Sequence, residues 1–377
     1  MRKIFALLSI LLLIMFSNAA AANDIDWDAA PRFGNPKDLV NYLNTCKNNL
    51  KTYVPVVLTD GFSPDVNDIV TLKSFLWLQY TDFGRDGKNT RMLYEITNYP
   101  GERVAYAYLH NDISFLDDEE RQLYDEAVKI VNAAKYNSDN FLRQELYIHD
   151  AITDRTTYYT ENPMPTYARF KTATGALLDG KANCQGYSDA FYMLCTMCGF
   201  NVDKVSGYGN GELHIWNTIN FGDDKNYFVD VTFNDASFTF NGSNKYNNYI
   251  YFNAPTDVIK ATHKWFSDYV PQNLQKYPDE RYFFYTPEYN KSNGKFFGTH
   301  ANSAEEALQH IAYNIARRGC RFSYVVAPYN ETYYDSKYSL NRLLHDFLPR
   351  YDWKGYVILN VNYRGNYMFF TADAKAD

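Results

Sequence analysis

The chain has 377 residues, 46% of them hydrophobic and 21% charged, with a net charge of −7 at pH 7. That length is enough for two or three domains, each with its own core. An acidic chain with no basic stretch to hold a phosphate backbone excludes nucleic acid as a partner.

Met1-Arg2-Lys3 is basic, Ile4 to Phe16 is apolar, and Ser17 to Ala22 is a small-residue stretch. That order predicts a secretory signal peptide over 1–22, because the apolar run is too short to span a bilayer. The first cysteine is Cys46, so no lipid-anchoring cysteine lies at the cleavage region. The expected mature protein is secreted and has no membrane span.

Residues 23–116 read as an αβ module. Asp38 to Asn49 has a helical pattern, Tyr53 to Leu58 is an apolar strand, and Val66 to Tyr80 is a predicted helix. Strands Met92 to Tyr99 and Val104 to Leu109 are expected to meet at Pro100-Gly101. Residues 295–377 repeat this order. A helix covers Ala304 to Arg317, a strand Phe322 to Ala327, a helix Ser339 to Arg350, and strands Tyr356 to Tyr363 and Tyr367 to Thr371. Asn362-Tyr363-Arg364-Gly365 echoes Asn98-Tyr99-Pro100-Gly101. The pattern predicts two similar α-β-α-β-β modules flanking a central domain at 117–290.

The central domain opens with helices over Glu119 to Ala134 and Asn140 to Ile152. An aromatic loop, Tyr158 to Phe170, is broken by Pro163 and Pro165, and Thr174 to Leu178 then leads towards Cys184. Tyr187, Ala190, Phe191, Leu194, Cys195 and Cys198 mark one face of a helix that Gly199 ends. Cys184 therefore stands at a helix start, where unpaired N–H groups and the dipole favour a thiolate. Polar Lys181, Asn183 and Gln185 suggest an exposed thiol, and Gly186 allows a close approach by another chain. Five cysteines leave at least one unpaired, and Cys195-x-x-Cys198, with no second pair or histidine cluster, reads as packed thiols. Gly207-Tyr208-Gly209-Asn210-Gly211 precedes a strand, not a helix, so it is read as a mobile loop beside His214 and not as a dinucleotide site.

Leu213 to Asn220 and Asn226 to Phe233 alternate around a turn at 221–225, which predicts a β-hairpin. If Asn220 opposes Asn226, His214 and Asp230 share one face as diagonal neighbours. A one-residue slip would separate them. The chemistry needs these types: an imidazole takes the thiol proton, and a carboxylate fixes the ring tautomer and its positive charge. The other six histidines have no such setting in the sequence. No His-Glu-x-x-His, Gly-x-Ser-x-Gly or Asp-x-Asp-x-Asp-Gly motif is present, so no metal or cofactor is expected. Gln185, Trp216 and Tyr159 are candidates to line a substrate pocket. The Cys184 N–H would serve an oxyanion, with the second donor left open among Gln185, Tyr158 and Tyr159.

At Asn183-Cys184-Gln185-Gly186-Tyr187, His214-Ile215-Trp216-Asn217 and Val229-Asp230-Val231-Thr232 the sequence resembles the transglutaminase-like superfamily, over roughly Leu142 to Asp235. The resemblance implies Cys184 as nucleophile, His214 as base and then acid, and Asp230 as orienter. It also implies an α+β fold, with a papain-like core whose cysteine helix packs on an antiparallel sheet. Asn183 stands where many relatives have an apolar residue, and the flanking modules differ from the β-sandwich domains of animal transglutaminases. The expectation is thus a secreted thiol enzyme, a cysteine protease, amidase or crosslinking transferase. It would act on a protein or peptide, including cell-surface or cell-wall peptide. The alternative is a non-catalytic surface-binding protein that keeps the fold.

Overall fold

The computed structural model describes residues 25–63, 78–161, 169–235, 249–266, 273–276, 295–318, 322–329, 337–364 and 366–376. The expected signal peptide at 1–22 and the predicted helix between Val66 and residue 77 lie outside these. Described residues up to Asn98, with Phe266, form one compact unit, and the rest form a second.

In the first unit, Asn35 accepts a hydrogen bond from the Asp38 N–H at 3.0 Å and Pro36 fits the first turn, which starts helix α1 (Pro36–Asn48). Leu39, Val40, Leu43 and Cys46 of that helix pack on Val54 and Val56 of strand β2 (Tyr53–Leu58). Strand β1 (Arg32–Phe33) runs parallel to β2. Strands β3 (Leu78–Asp86) and β4 (Asn89–Ile96) form a hairpin, and the sheet order is β1-β2-β4-β3. Tyr80, placed at a helix end by the sequence pattern, is thus in a strand.

The second unit opens with a correction. Val104 to Leu109, expected as a strand, belongs to helix α2 (Pro100–His110). Val104-Tyr106-Tyr108 alternates, but Pro100 sits at the first helical position and Glu102 accepts from the Tyr99 N–H at 2.8 Å. These start signals outweigh the alternation. The turn echo at Asn98-Tyr99-Pro100-Gly101 is therefore a helix entry, not a hairpin.

Helices α3 (Asp118–Asn137) and α4 (Phe141–Thr153) follow, capped by Asp117 and Asn140. Next come the short strands β5 (Thr157–Tyr158) and β6 (Lys181–Ala182), which pair in parallel. Helix α5 (Cys184–Cys198) then lies in the middle of the unit, and Phe191, Leu194 and Cys195 pack against Val202, Ile219 and Val229 of the neighbouring sheet. That sheet contains β7 (Asn201–Gly209), β8 (Glu212–Asn220), β9 (Asn226–Val229) and, after the short helices α6 (Val231–Asn234) and α7 (Thr256–Ile259), β10 (His263–Trp265). Its order is β10-β7-β8-β9, antiparallel throughout. The fold is α+β, with the cysteine helix on an antiparallel sheet.

The glycine-rich segment is not a loop. Gly207 to Gly209 are the end of β7, and Asn210 and Gly211, with φ of 51° and 89°, form the two-residue turn into β8.

The C-terminal part contains β11 (Lys295–His300), α8 (Ala304–Arg318), β12 (Phe322–Pro328), α9 (Lys337–Phe347), β13 (Gly355–Arg364) and β14 (Tyr367–Ala376). Its sheet order, β11-β12-β14-β13, repeats the first unit's order with the same parallel and antiparallel pairs. Alternation along β12 and β14 divides the two faces. Val325, Ala327, Met368 and Phe370 face the helices, while Val326 and Phe369 join an aromatic cluster with Trp216, Phe228 and Tyr251.

Candidate active site

Asn183 builds the cysteine end of the site. It caps α5, its Oδ1 accepting from the N–H groups of Gln185 and Gly186 at 3.1 and 3.3 Å. Gly186 is required there, since a Cβ would lie 2.5 Å from the Phe170 carbonyl oxygen. The close approach anticipated at this glycine is made by the chain's own segment at 170–172. Cys184 is half-buried and, like Cys46, Cys195 and Cys198, is a free thiol. Cys320 lies outside the described residues.

The hairpin pairs Asn220 with Asn226, the even register required to put His214 and Asp230 on one face. The strand read as ending at Phe233 stops at Val229. Asp230 instead caps the short helix α6, its Oδ1 accepting from the Phe233 N–H at 3.0 Å. Its Oδ2 lies 2.8 Å from Nε2 of His214. The Cys184 thiol is within hydrogen-bonding reach of the same imidazole. Since Nε2 is committed to Asp230, Nδ1 is left to face the sulfur. Cys184, His214 and Asp230 are thus brought together.

Burial disfavours charge on His214, but the Asp230 carboxylate overrides it, and with Cys184 pushes the imidazole pKa up to about 10. Burial works against ionised Asp230 too, yet His214 and then His263 hold its pKa well below the usual carboxylate range. The rings are held by packing. Gly209 allows His214 to lie over it, as a Cβ there would be 2.9 Å from the imidazole, and Phe233 sits 4.5 Å away on centroids.

The pocket candidates separate. Trp216 is only 1% exposed, stacks 5.7 Å from His214 and belongs to the core, so it supports the imidazole and does not line an open pocket. Gln185 is buried as well, and its side chain hydrogen-bonds Tyr99. Tyr159 is half-exposed and stacks on Phe170 at 4.0 Å. Of the three residues considered for the second oxyanion donor, Tyr158 is the one at the cysteine: its hydroxyl accepts from the Cys184 backbone N–H. The β5–β6 pairing, Tyr158 opposite Ala182, carries it there. Burial raises the Tyr158 pKa, as do the charges of Cys184 and Asp230.

His263, passed over in the sequence, is part of the site. Its Nε2 also lies 2.8 Å from Oδ2 of Asp230. The pairing of β10 with Gly207 to Gly209 delivers it from far along the chain, and no local pattern announces that. Among the described residues, His214, Asp230 and His263 form the one group whose ligand atoms, within 4.8 Å of one another, could hold a metal ion. Here those atoms are engaged with each other as hydrogen bonds.

Residues 127–231 match the family model of the transglutaminase-like superfamily. This chain carries a domain of that superfamily. Similar solved structures include one described as a TGase, with 15% identity, 54% of this chain and 59% of that chain covered, and a TM-score of 0.27. The periplasmic domain of TgpA from Pseudomonas aeruginosa matches at 15% identity, 41% and 62% coverage and a TM-score of 0.26. LapG from Legionella pneumophila matches at 10% identity, 35% and 72% coverage and a TM-score of 0.24. The chain spans less than two thirds of the first two of these structures. No curated protein matches it.

Proposed function

We propose that the protein is an exported thiol enzyme that hydrolyses an amide of a protein or peptide through a Cys184 thioester. The observation that carries this reading is the line from the capped start of α5, through the His214 imidazole, to the buried Asp230 carboxylate 2.8 Å beyond it. His214 Nδ1 takes the Cys184 proton, while Nε2–H remains on Asp230. The thiolate attacks the carbonyl carbon and forms a C–S bond, moving an electron pair onto the carbonyl oxygen. The Cys184 N–H faces that oxyanion. The Tyr158 hydroxyl, resting on the same N–H, turns its O–H to the oxygen as the substrate takes its place. When the C=O re-forms, the C–N bond breaks and His214 Nδ1–H protonates the leaving amine. Water, deprotonated by His214, then cleaves the thioester and restores the thiol.

A primary amine could resolve the thioester in place of water, giving a crosslink. Both outcomes are read by incubating the full mature chain, under mild reductant, with a mixed protein substrate and a fluorescent primary amine. Fragments that appear with the wild type and vanish with Cys184→Ala support hydrolysis. Cys184-dependent amine incorporation without fragments replaces it with transferase activity. Equal silence of wild type and mutant across a broad substrate panel favours the surface-binding alternative.

A further inference from the structure

Asp230 is held by more groups than a Cys-His-Asp site requires. Its Oδ1 accepts one backbone N–H at 3.0 Å, and its Oδ2 meets two imidazoles, each at 2.8 Å. A carboxylate only accepts, so both rings must present Nε2–H to it. The other nitrogen of His263 faces the Thr262 hydroxyl and the Ile259 carbonyl. It lies 2.8 Å from Thr262 Oγ1, which in turn lies 2.9 Å from the Tyr251 hydroxyl. With a neutral His263 ring, that nitrogen accepts from the Thr262 hydroxyl, which in turn accepts from Tyr251.

The two rings are not equivalent. His214 has Cys184 on its free nitrogen and can take a proton there, whereas His263 has a hydroxyl. The titratable groups facing His263 are Asp230, His214 and Tyr251, and the Thr262 hydroxyl, the Ile259 carbonyl and the rings of Trp216 and Phe233 also pack on it. Burial, and the nearby charge of His214, lower its pKa against the pull of Asp230. His263 is 3% exposed.

We propose that His263 is a positioning residue for the reaction: as an Nε2–H donor it fixes Asp230 Oδ2 on His214 and shares that oxygen's accepting capacity. This rests on the catalytic reading above. Two donors on one oxygen weaken each other, so without His263 the carboxylate would grip the His214 imidazolium harder while losing its orientation. Glutamine can place an amide N–H near the same point, whereas phenylalanine fills the volume without a donor.

The test compares wild type, His263→Phe and His263→Gln in the full chain, after confirming a cooperative melt for each. The expected result is a fall in kcat of about 10- to 100-fold for His263→Phe with KM held, the order seen when a group orienting a metal-bound imidazole is removed. His263→Gln should recover most of it. A merely structural histidine would leave the Gln variant no better than the Phe variant, and that result overturns the proposal. A second readout needs no substrate. The His214 imidazole, followed by long-range proton–nitrogen NMR, should titrate at least about half a pH unit higher in His263→Phe and return towards wild type in His263→Gln. An unmoved or lowered titration overturns the positioning role even if the chain proves catalytically silent. A raised titration in a silent chain keeps the Asp230 coupling and discards only the enzyme.

Discussion

Two carboxyl groups in the second unit are almost equally buried, and their pKa values are pushed in opposite directions. Asp230 receives a backbone N–H and two imidazoles and is held ionised. Glu145, on α4, is 0% exposed and has one amide donor, Asn253 Nδ2 at 2.8 Å from its Oε2, and burial pushes its pKa up to about 8. Burial opposes the anion in both places, so the partners decide which one keeps its charge. The difference gives opposite pH signatures. The folded pKa of Asp230 is depressed, so its contribution to stability is full above the unfolded value of 3.8 and is lost as pH falls through the folded one. That of His214 is raised, so its contribution is full below 6.5 and is lost as pH rises through about 10. These are two views of one ion pair.

The largest effect expected from breaking this contrast is at Asp230. Asp230→Asn keeps the volume but removes the charge and offers the wrong hydrogen-bond pattern to one imidazole. Steady-state kinetics should show a loss of about 10⁴-fold in kcat, the scale found when a triad carboxylate becomes an amide. The alkaline limb of the activity profile, which His214 places near pH 10 in the wild type, should retreat towards neutrality. An alkaline limb unchanged by this substitution would mean that Asp230 does not set the His214 titration. Smaller, and confined to the chemical step, is the effect of Tyr158→Phe. It removes the hydroxyl at the Cys184 N–H, and kcat should fall roughly 10²-fold with little change in KM. A change in KM alone would make Tyr158 a substrate contact.

The contrast also marks what could be read from the sequence. Cys184, His214 and Asp230 were legible because each lies in a short segment with its own cap or alternation, and the hairpin register relates His214 to Asp230 by counting along sixteen residues. The C-terminal elements from α8 to β14 were legible for the same reason, whereas strand β11 ahead of them was not. His263 was not, since it arrives by pairing with a strand more than fifty residues earlier. The helix Pro100–His110 was misread because alternating Tyr106 and Tyr108 imitate a strand, while the start signals at Tyr99, Pro100 and Glu102 were passed over. Trp216 and Gln185 look like pocket residues beside His214 and Cys184 in sequence. Their burial, which the sequence beside His214 and Cys184 does not announce, shows that both side chains turn into the interior.

Glu145 gives the mildest way to sharpen the comparison, because it touches stability without entering the chemistry. Its Oε1 and the Oδ1 of Asn253 are both buried with no hydrogen-bond partner among the described residues. A proton on Glu145 removes a buried carboxylate charge that one amide donor does not compensate. The folded state therefore retains a proton that the unfolded chain loses above about 4.5, and stability should decline as pH rises from there to about 8. The folded pKa lies above the unfolded one for an acid, so the native state binds the extra proton across that window and the slope is negative. Glu145→Gln keeps an acceptor for Asn253 Nδ2 and removes the titration. Urea unfolding at pH 5 and pH 8.5 should show the Gln variant gaining on the wild type at the higher pH by roughly 2–4 kcal/mol, at most what a shift of that size supports. A gap that stays constant across the two pH values would mean that Glu145 is ionised in the folded protein, with a counter-charge, and the distinction from Asp230 would then lie elsewhere than in their partners.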